Sequence, residues 1–240
     1  MPVIMPTPLT LDEVQQVILQ HAPTPYYVRH YVKFERNYLP ALIEHIDGWA
    51  PWMVADVGPG YGTMAVWLAS RGWDVVVFDK MPLGHSMTQE LCDLYGIEYV
   101  QHDIEFEPLP SDFSLVTMTQ VIPHLRWRPD TAVQHAAAGL SGDVRCCPDA
   151  HDDTFLCTCN RRGGLVGKNP PRYARWQDVP VARGGMPHED MVTALYDRFD
   201  LAALIHTAFH EGSTWSPPDT GPIFAEGHCR KGAKGYAQGM

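Results

Sequence analysis

The feature that most constrains this chain is a glycine-rich turn between an apolar run and a helical stretch. Residues Met53–Val57 are apolar apart from Asp56, and glycines then follow at alternate positions, as Gly58, Gly60 and Gly62. Glycine tolerates left-handed backbone angles and lets other groups come close to the main chain. Such a turn at a helix N-terminus presents backbone N–H groups to a ligand, or it only makes a tight connection. Both readings predict a strand, a turn and a helix.

Short apolar runs alternate with helical stretches along most of the chain. The run at residues 75–78 is β-branched and aromatic without a polar break, which is typical of a strand buried on both faces. This alternation favours parallel strands joined by crossover helices, the α/β class. The predicted strands are 53–57, 74–78, 98–100, 114–119 and 154–158, and the predicted helices are 62–71, 86–95 and 129–140.

The two ends of the chain have different patterns. Thr10, followed by acids, caps a predicted helix over 10–21, and a second predicted helix over 25–46 should kink or break at Pro40. Near the other end we predict a helix and then two antiparallel strands, at 188–199, 201–209 and 222–229. The resulting organisation is an N-terminal helical cap, one ligand-binding domain and a flexible tail, at residues 1–47, 48–230 and 231–240.

Two acids end the next two predicted strands, at a regular spacing from Asp56. Asp79 lies 23 residues after Asp56 (79 − 56), and Asp103 lies 24 residues after Asp79 (103 − 79). Carboxyl ends of parallel strands meet at one edge of a sheet, so these carboxylates should lie near the glycine turn. Asp79 suits the hydroxyls of a ribose, whereas Asp103 suits an adenine amine, with Ile104 packing on the ring. A single acid of this kind would be read as a solvated strand end.

These residues together resemble the class I S-adenosylmethionine (SAM)-dependent methyltransferase superfamily, in its small-molecule branch. The segment Asp56-Val-Gly-Pro-Gly-Tyr-Gly62 is similar to the family signature D/E-x-G-x-G-x-G, and Asp79 and Asp103 resemble its ribose and adenine acids. The segment Gln120-Val-Ile-Pro-His-Leu125 resembles the family stretch E-V-L-E-H-L. Gln120 and Pro123 stand where that stretch has its two acids.

The resemblance implies both a fold and a cofactor. The fold is a Rossmann-like, seven-stranded, mostly parallel sheet with helices on both faces and an antiparallel last strand. SAM lies across the carboxyl ends of the strands, and S-adenosylhomocysteine (SAH) is the product. The predicted cofactor-binding residues are Asp56, Gly58, Gly60, Gly62, Asp79, Asp103, Ile104 and Gln120.

Methyl transfer from a sulfonium mainly requires that the acceptor be positioned and, where it carries a proton, deprotonated. His124 follows the fourth predicted strand and is the candidate catalytic base; the alternative is that it packs at the start of the next helix. Tyr27, His30 and Tyr31 of the helical cap are candidates to line the acceptor pocket; ordinary helix packing is the alternative.

A basic segment at residues 160–187 stands out from the acidic chain. It carries six Lys or Arg residues against the single acid Asp178, within a chain of net charge −10. We predict that this segment closes over an anionic acceptor, such as a carboxylate or a phosphate; a solvated surface loop is the alternative. Its candidate substrate-binding residues are Arg172, Tyr173, Arg175 and Trp176.

The acidic composition argues against nucleic-acid binding by the chain as a whole. No apolar window is long enough for a membrane span, and the first residues lack a signal-peptide pattern, so we expect a cytoplasmic enzyme without a membrane partner. Cys157, Cys159 and His151 match no zinc spacing, and we predict no metal. A monomer and a homodimer are both compatible with the sequence.

Three rival functions remain open at this point. A nicotinamide-dependent dehydrogenase also uses a glycine turn and a ribose acid, but its G-x-G-x-x-G spacing is not met, because Thr63 follows Gly62. A SAM-binding scaffold without transfer activity keeps the same cofactor turn. Methylation of a macromolecule is the third, and the chain lacks the N/D-P-P-Y/F tetrapeptide of amino-methylating nucleic-acid enzymes after the fourth strand.

Overall fold

The computed structural model describes residues 8–23, 25–50, 52–110, 112–125, 129–140, 154–159, 177–178, 192–193, 198–206, 208–209, 211–215 and 223–228. The α-helices within these ranges are α1 (Leu11–His21), α2 (Pro25–Glu35), α3 (Leu39–Ile46), α4 (Thr63–Ala69), α5 (Gln89–Tyr95), α6 (Pro129–Ala138) and α7 (Arg198–Ile205). The strands are β1 (Met53–Val57), β2 (Asp74–Asp79), β3 (Glu98–Gln101), β4 (Leu115–Thr119), β5 (Thr154–Cys159), β6 (Gln177–Asp178), β7 (Val192–Thr193), β8 (Glu211–Trp215) and β9 (Ile223–His228).

Five parallel strands form the centre of the main sheet, in the order β3-β2-β1-β4-β5, and they confirm the Rossmann-like α/β prediction. On the far side of β5, β9 pairs antiparallel with it and β8 pairs antiparallel with β9. From β1 the chain first proceeds outward to β2 and β3, and it then returns to place β4 on the other side of β1. Such a reversal opens a crevice at the carboxyl ends of the strands, where ligands bind in open α/β sheets.

Alternate residues of each strand face opposite helical layers. Val54 and Val75 belong to the core under α1 to α5, whereas Ala55 and Val57 belong to the core under α6 and α7. This alternation follows from the two-residue period of a strand, and it explains why the central strands are apolar almost throughout. None of the described helices is long and apolar enough to cross a bilayer.

The N-terminal helices follow the sequence prediction with one difference. Thr10 caps α1 in a capping box, in which its Oγ1 accepts a hydrogen bond from the Glu13 N–H at 3.3 Å. The predicted second helix is two helices, since α2 ends at Glu35 and α3 begins at Leu39. Pro40 therefore lies in the first turn of α3, where its missing N–H removes no helical hydrogen bond.

The predictions near the other end were partly wrong. Residues 201–209 were predicted as a strand, but α7 spans Arg198–Ile205 and the following strand begins at Glu211. The helix predicted at 188–199 is wrong at Val192–Thr193, which form a short strand with β6. A short apolar run fits a buried helix as well as a strand, and here Leu201, Leu204 and Ile205 are buried at helical spacing.

Candidate functional site

The carboxyl group of Asp56 is buried in the middle of the sheet. Asp56 lies in β1 opposite Val77 of β2 and Thr117 of β4, and the Thr117 hydroxyl donates a hydrogen bond of 2.7 Å to its Oδ1. Among the described residues, its Oδ2 has no hydrogen-bond partner. Burial raises the pKa of Asp56 to about 7, the Thr117 bond opposes this rise, and the charge of Asp79 adds to it. The site therefore contains a buried acceptor that suits a cationic partner.

The glycine turn that follows β1 is closely packed on its outer side. Gly58 and Gly60 have left-handed φ angles of 64° and 56°. A Cβ atom on Gly58 would lie 2.6 Å from a methyl group of Val121, and one on Gly60 would overlap the Tyr31 hydroxyl. Both the backbone conformation and the surrounding atoms thus require glycine here.

Asp79 is the last residue of β2, and Asp103 follows the end of β3 by two residues. The Asp79 carboxylate is half-buried, and its Oδ1 accepts a hydrogen bond of 2.9 Å from the Met81 N–H. The Asp79 carbonyl accepts from the His102 N–H at 2.7 Å, which ties the ends of the two strands together. The half-buried Asp103 accepts a hydrogen bond of 3.1 Å at Oδ1 from the Glu105 N–H. Both acids are fixed near the same edge of the sheet as the glycine turn.

The remaining candidates on this edge differ in exposure. Ile104 is buried in the core that lies under α6 and α7. Gln120 follows β4 directly, is buried and has a φ of 59°, a left-handed conformation that is uncommon for a residue other than glycine. His124 is exposed at the end of a 3₁₀ turn, Ile122–His124. The candidate base therefore lies on the chain segment that leaves the carboxyl end of the central strand β4.

The sequence prediction missed a buried carboxyl group beneath the turn. Glu35 of α2 is 2% exposed, and it accepts a hydrogen bond of 2.8 Å from the hydroxyl of Thr63, the first residue of α4. Burial raises the pKa of Glu35 to about 8, the bonds from Thr63 and Gln15 oppose this, and Asp56 adds to it. Tyr31 lies one helical turn before Glu35, so the two residues share a face of α2. This spacing was the sequence signal that could have placed Glu35 near the site.

Other predicted residues lie wholly or partly outside the described residues. Tyr27 and His30 belong to α2, but their side chains lie outside the description. The candidate substrate-binding residues Arg172, Tyr173, Arg175 and Trp176 lie outside it entirely. Within the described ranges, no group of three His, Cys, Asp or Glu residues is placed to hold a metal ion.

The first comparison with known proteins is by sequence. Residues 54–142 match a family model described as a methyltransferase domain. The matched segment contains the glycine turn, both strand-end acids and the segment after β4. No curated protein sequence matches the chain.

The second comparison is by structure. SibL, an S-adenosylmethionine-dependent methyltransferase, is 15% identical to this chain, with a TM-score of 0.60. The match covers 85% of this chain and 57% of SibL, so the chain spans little more than half of SibL's length. The magnesium protoporphyrin IX methyltransferase of Synechocystis is 13% identical with a TM-score of 0.54, covering 90% and 93%. The 1,6-didemethyltoxoflavin-N1-methyltransferase of Burkholderia thailandensis is 15% identical with a TM-score of 0.55, covering 92% of both chains. Residues 54–142 thus match a methyltransferase domain, and the chain has the fold of these SAM-dependent methyltransferases.

Proposed function

We propose that the chain transfers a methyl group from SAM to a small, anionic acceptor, at oxygen as the first choice and at nitrogen as the second. The methyltransferase-domain match at residues 54–142 and the shared fold support the cofactor and the reaction class. Two of the similar structures are named for small-molecule acceptors, one of them methylated at a nitrogen, which supports an acceptor of that size. We take helices α1 to α3, within residues 1–47, as a cap for the catalytic domain.

The observation that carries the proposal is the unpartnered Oδ2 of the buried Asp56 beside a glycine turn. SAM has an ammonium group and a ribose, and a buried carboxylate and a strand-end acid suit these two groups. Asp56 would accept hydrogen bonds from the ammonium, and the cationic partner would keep its carboxylate ionised. Asp79 would bind the ribose hydroxyls, and Asp103 with Ile104 would hold the adenine. The residues present therefore fit the cofactor.

When bound, SAM supplies an electrophilic methyl group, so this chain needs to provide orientation, exclusion of water and removal of a proton. The acceptor would lie beside the segment after β4, where Gln120 is held in a left-handed conformation. His124 is the proposed base for an acceptor that carries a proton, since it is exposed on that segment. Tyr27, His30 and Tyr31 of α2 would line the acceptor side of the cap.

The proposed selectivity for anions rests on the basic segment at 160–187. Arg172 and Arg175 would pair with a carboxylate or phosphate, while Tyr173 and Trp176 would supply stacking surface. Replacing both arginines with alanine should raise KM for the acceptor by roughly tenfold or more, because the loss of even one hydrogen bond to a charged group costs about 1.5–3 kcal/mol. The kcat and the affinity for SAM should change little.

The measurement incubates the protein with methyl-labelled SAM and a panel of small carboxylates, phosphates, phenols and amines. The exposed Lys33 of α2 provides a control, as Lys33→Ala removes a cation that lies outside the basic segment. Equal KM values for the double variant and the parent would remove the anionic acceptor from the proposal. Micromolar SAH binding without transfer to the panel or to extract fractions would instead favour a cofactor-binding scaffold, and labelled protein or nucleic acid would favour a macromolecular acceptor.

A further inference from the structure

His135 of α6 is hydrogen bonded to the segment that follows β3. Its ring Nδ1 lies 2.8 Å from the carbonyl oxygen of Ile104. A carbonyl oxygen only accepts, so Nδ1 carries the proton and donates. The main-chain carbonyl of His135 in turn accepts a hydrogen bond of 3.1 Å from the Leu109 N–H. One residue of α6 therefore holds both ends of the segment from 104 to 109.

The held segment is itself a compact turn built around Asp103. The Asp103 carbonyl accepts from the N–H groups of Phe106 and Glu107, both at 3.0 Å, and its Oδ1 accepts from the Glu105 N–H. These bonds fix the shape of the turn, but they do not connect it to the rest of the molecule. The side chain of His135 makes such a connection immediately after Asp103.

Gly139, which directly follows α6, is packed tightly against the far end of the same segment. A Cβ atom on Gly139 would lie 2.8 Å from the Cβ of Leu109, so the two chains are in close contact. The Gly139 carbonyl also accepts a hydrogen bond of 3.0 Å from the Phe113 N–H. These contacts anchor Leu109 and Phe113 without any help from the imidazole. The hydrogen bond from the His135 side chain therefore acts only on the start of the segment, where it fixes the position of the Ile104 carbonyl.

We propose that His135 is a positioning residue for the adenine end of the cofactor site. By holding the Ile104 carbonyl, it sets where the Asp103 carboxylate and the Ile104 side chain lie. The inference rests on the proposed function, in which these two residues contact the adenine. Residues that bind a ligand directly are effective only when neighbouring hydrogen bonds fix their orientation.

The test compares His135→Leu, which keeps a similar volume without a donor, with His135→Asn, whose amide N–H₂ takes the place of Nδ1. Dissociation constants are measured for SAH and for 5′-methylthioadenosine, which contains adenosine but lacks the amino-acid tail. His135→Leu should weaken both ligands by the same factor, roughly fivefold to tenfold, the effect expected for one hydrogen bond. His135→Asn should bind both within about twofold of the parent, and kcat at saturating SAM should be unchanged in either variant.

The control is Gln134→Ala, which changes the adjacent exposed residue of α6 and should leave both dissociation constants as in the parent. Unchanged binding by a folded His135→Leu protein overturns the inference, and so does a weakening that His135→Asn fails to rescue. Should His135→Leu not fold, His135→Asn is compared with His135→Gln, whose amide reaches further; the inference requires tighter SAH binding by the asparagine variant. Failure of the parent protein to bind SAH contradicts the proposed function itself, which separates the two outcomes.

Discussion

At the scale of single residues, the glycine turn after β1 shows how closely sequence and surroundings agree. Gly60 has a left-handed φ of 56°, and the Tyr31 hydroxyl occupies the place where its Cβ would be. Gly96, at the end of α5, has a similar φ of 67° but nothing within 4 Å of its Cβ position. The two glycines thus share one backbone requirement and differ in packing.

Gly60→Ala and Gly96→Ala should separate these two effects. Gly96→Ala should lower the free energy of unfolding by roughly 1–2 kcal/mol, the cost of a left-handed alanine. Gly60→Ala should lose a further 1–3 kcal/mol or so, because the added methyl group overlaps Tyr31. It should also weaken SAH binding, whereas Gly96→Ala should not. Urea unfolding and SAH titration of both variants provide the check, and equal losses would contradict the packing argument.

At the scale of secondary-structure elements, α2 is joined to the helix that begins at the glycine turn. Glu35 and Tyr31, one turn apart on α2, contact Thr63 of α4 and Gly60 of the turn respectively. Gln15 of α1 donates a hydrogen bond of 3.3 Å to the Val32 carbonyl, so α1 belongs to the same assembly. Docking of these helices therefore depends on a carboxyl group that is buried. Three titratable groups interact with Glu35. The charge of Asp56 raises the pKa of Glu35, and the charge of Glu35 raises the pKa values of Tyr31 and Tyr38.

This arrangement predicts a loss of stability in alkaline solution. The pKa of Glu35 is about 8 in the folded protein, against an ordinary value of 4.5. Its contribution to the free energy of unfolding is therefore fully present below about pH 4.5 and is lost as the pH rises through 8. Between pH 5 and 9 the parent should lose roughly 2–4 kcal/mol more than Glu35→Gln, since each pKa unit corresponds to about 1.4 kcal/mol.

Glu35→Gln is the suitable comparison because its amide oxygen still accepts from Thr63 and carries no titrating proton. Asp56 also has a raised pKa, of about 7, and it titrates in both proteins. The difference between their unfolding free energies at each pH therefore reports the titration of Glu35 together with its coupling to Asp56. Parallel pH profiles for the two proteins would show that Glu35 does not carry the effect.

At the scale of the whole molecule, the sheet gathers distant parts of the chain at one edge. Asp56, Asp79 and the segment after Asp103 come from three strands that are adjacent in the order β3-β2-β1. Gln120 arrives from β4 on the other side of β1. A ligand bound across this edge touches several elements at once, so its binding energy stabilises the fold as a unit.

We expect SAH to stabilise the protein and NAD to have no effect. At a free SAH concentration 100 times Kd, the free energy of unfolding should rise by about 2.7 kcal/mol. For a chain of this size, that corresponds to an increase in Tm of roughly 5–10 °C. Differential scanning calorimetry with each ligand provides the measurement. A Tm increase with NAD and none with SAH would favour the dehydrogenase alternative.

The sequence was sufficient for the central part of the fold. The run that contains Asp56, the alternate glycines and the spaced acids Asp79 and Asp103 predicted β1 to β3, because each local pattern permits few backbone geometries. The sequence also predicted the cap at Thr10 and a break in the second helix. It placed that break at Pro40, whereas α3 begins at Leu39. The run at 201–209 was not, because its apolar residues fit two periodicities and only contact with the core selects the helix.

By itself, then, the sequence determined the strand–turn–helix at Gly58 to Gly62 and the acids at the strand ends, since short-range sterics and strand spacing decide both. Only the tertiary structure decided the partners of these groups. By its sequence Glu35 resembles an exposed helical acid, but in the folded protein it is buried against Thr63. His135 contacts Ile104 although the two are 31 residues apart in the chain. Burial and long-range hydrogen bonding depend on which elements pack together, and no local pattern in one sequence specifies that packing.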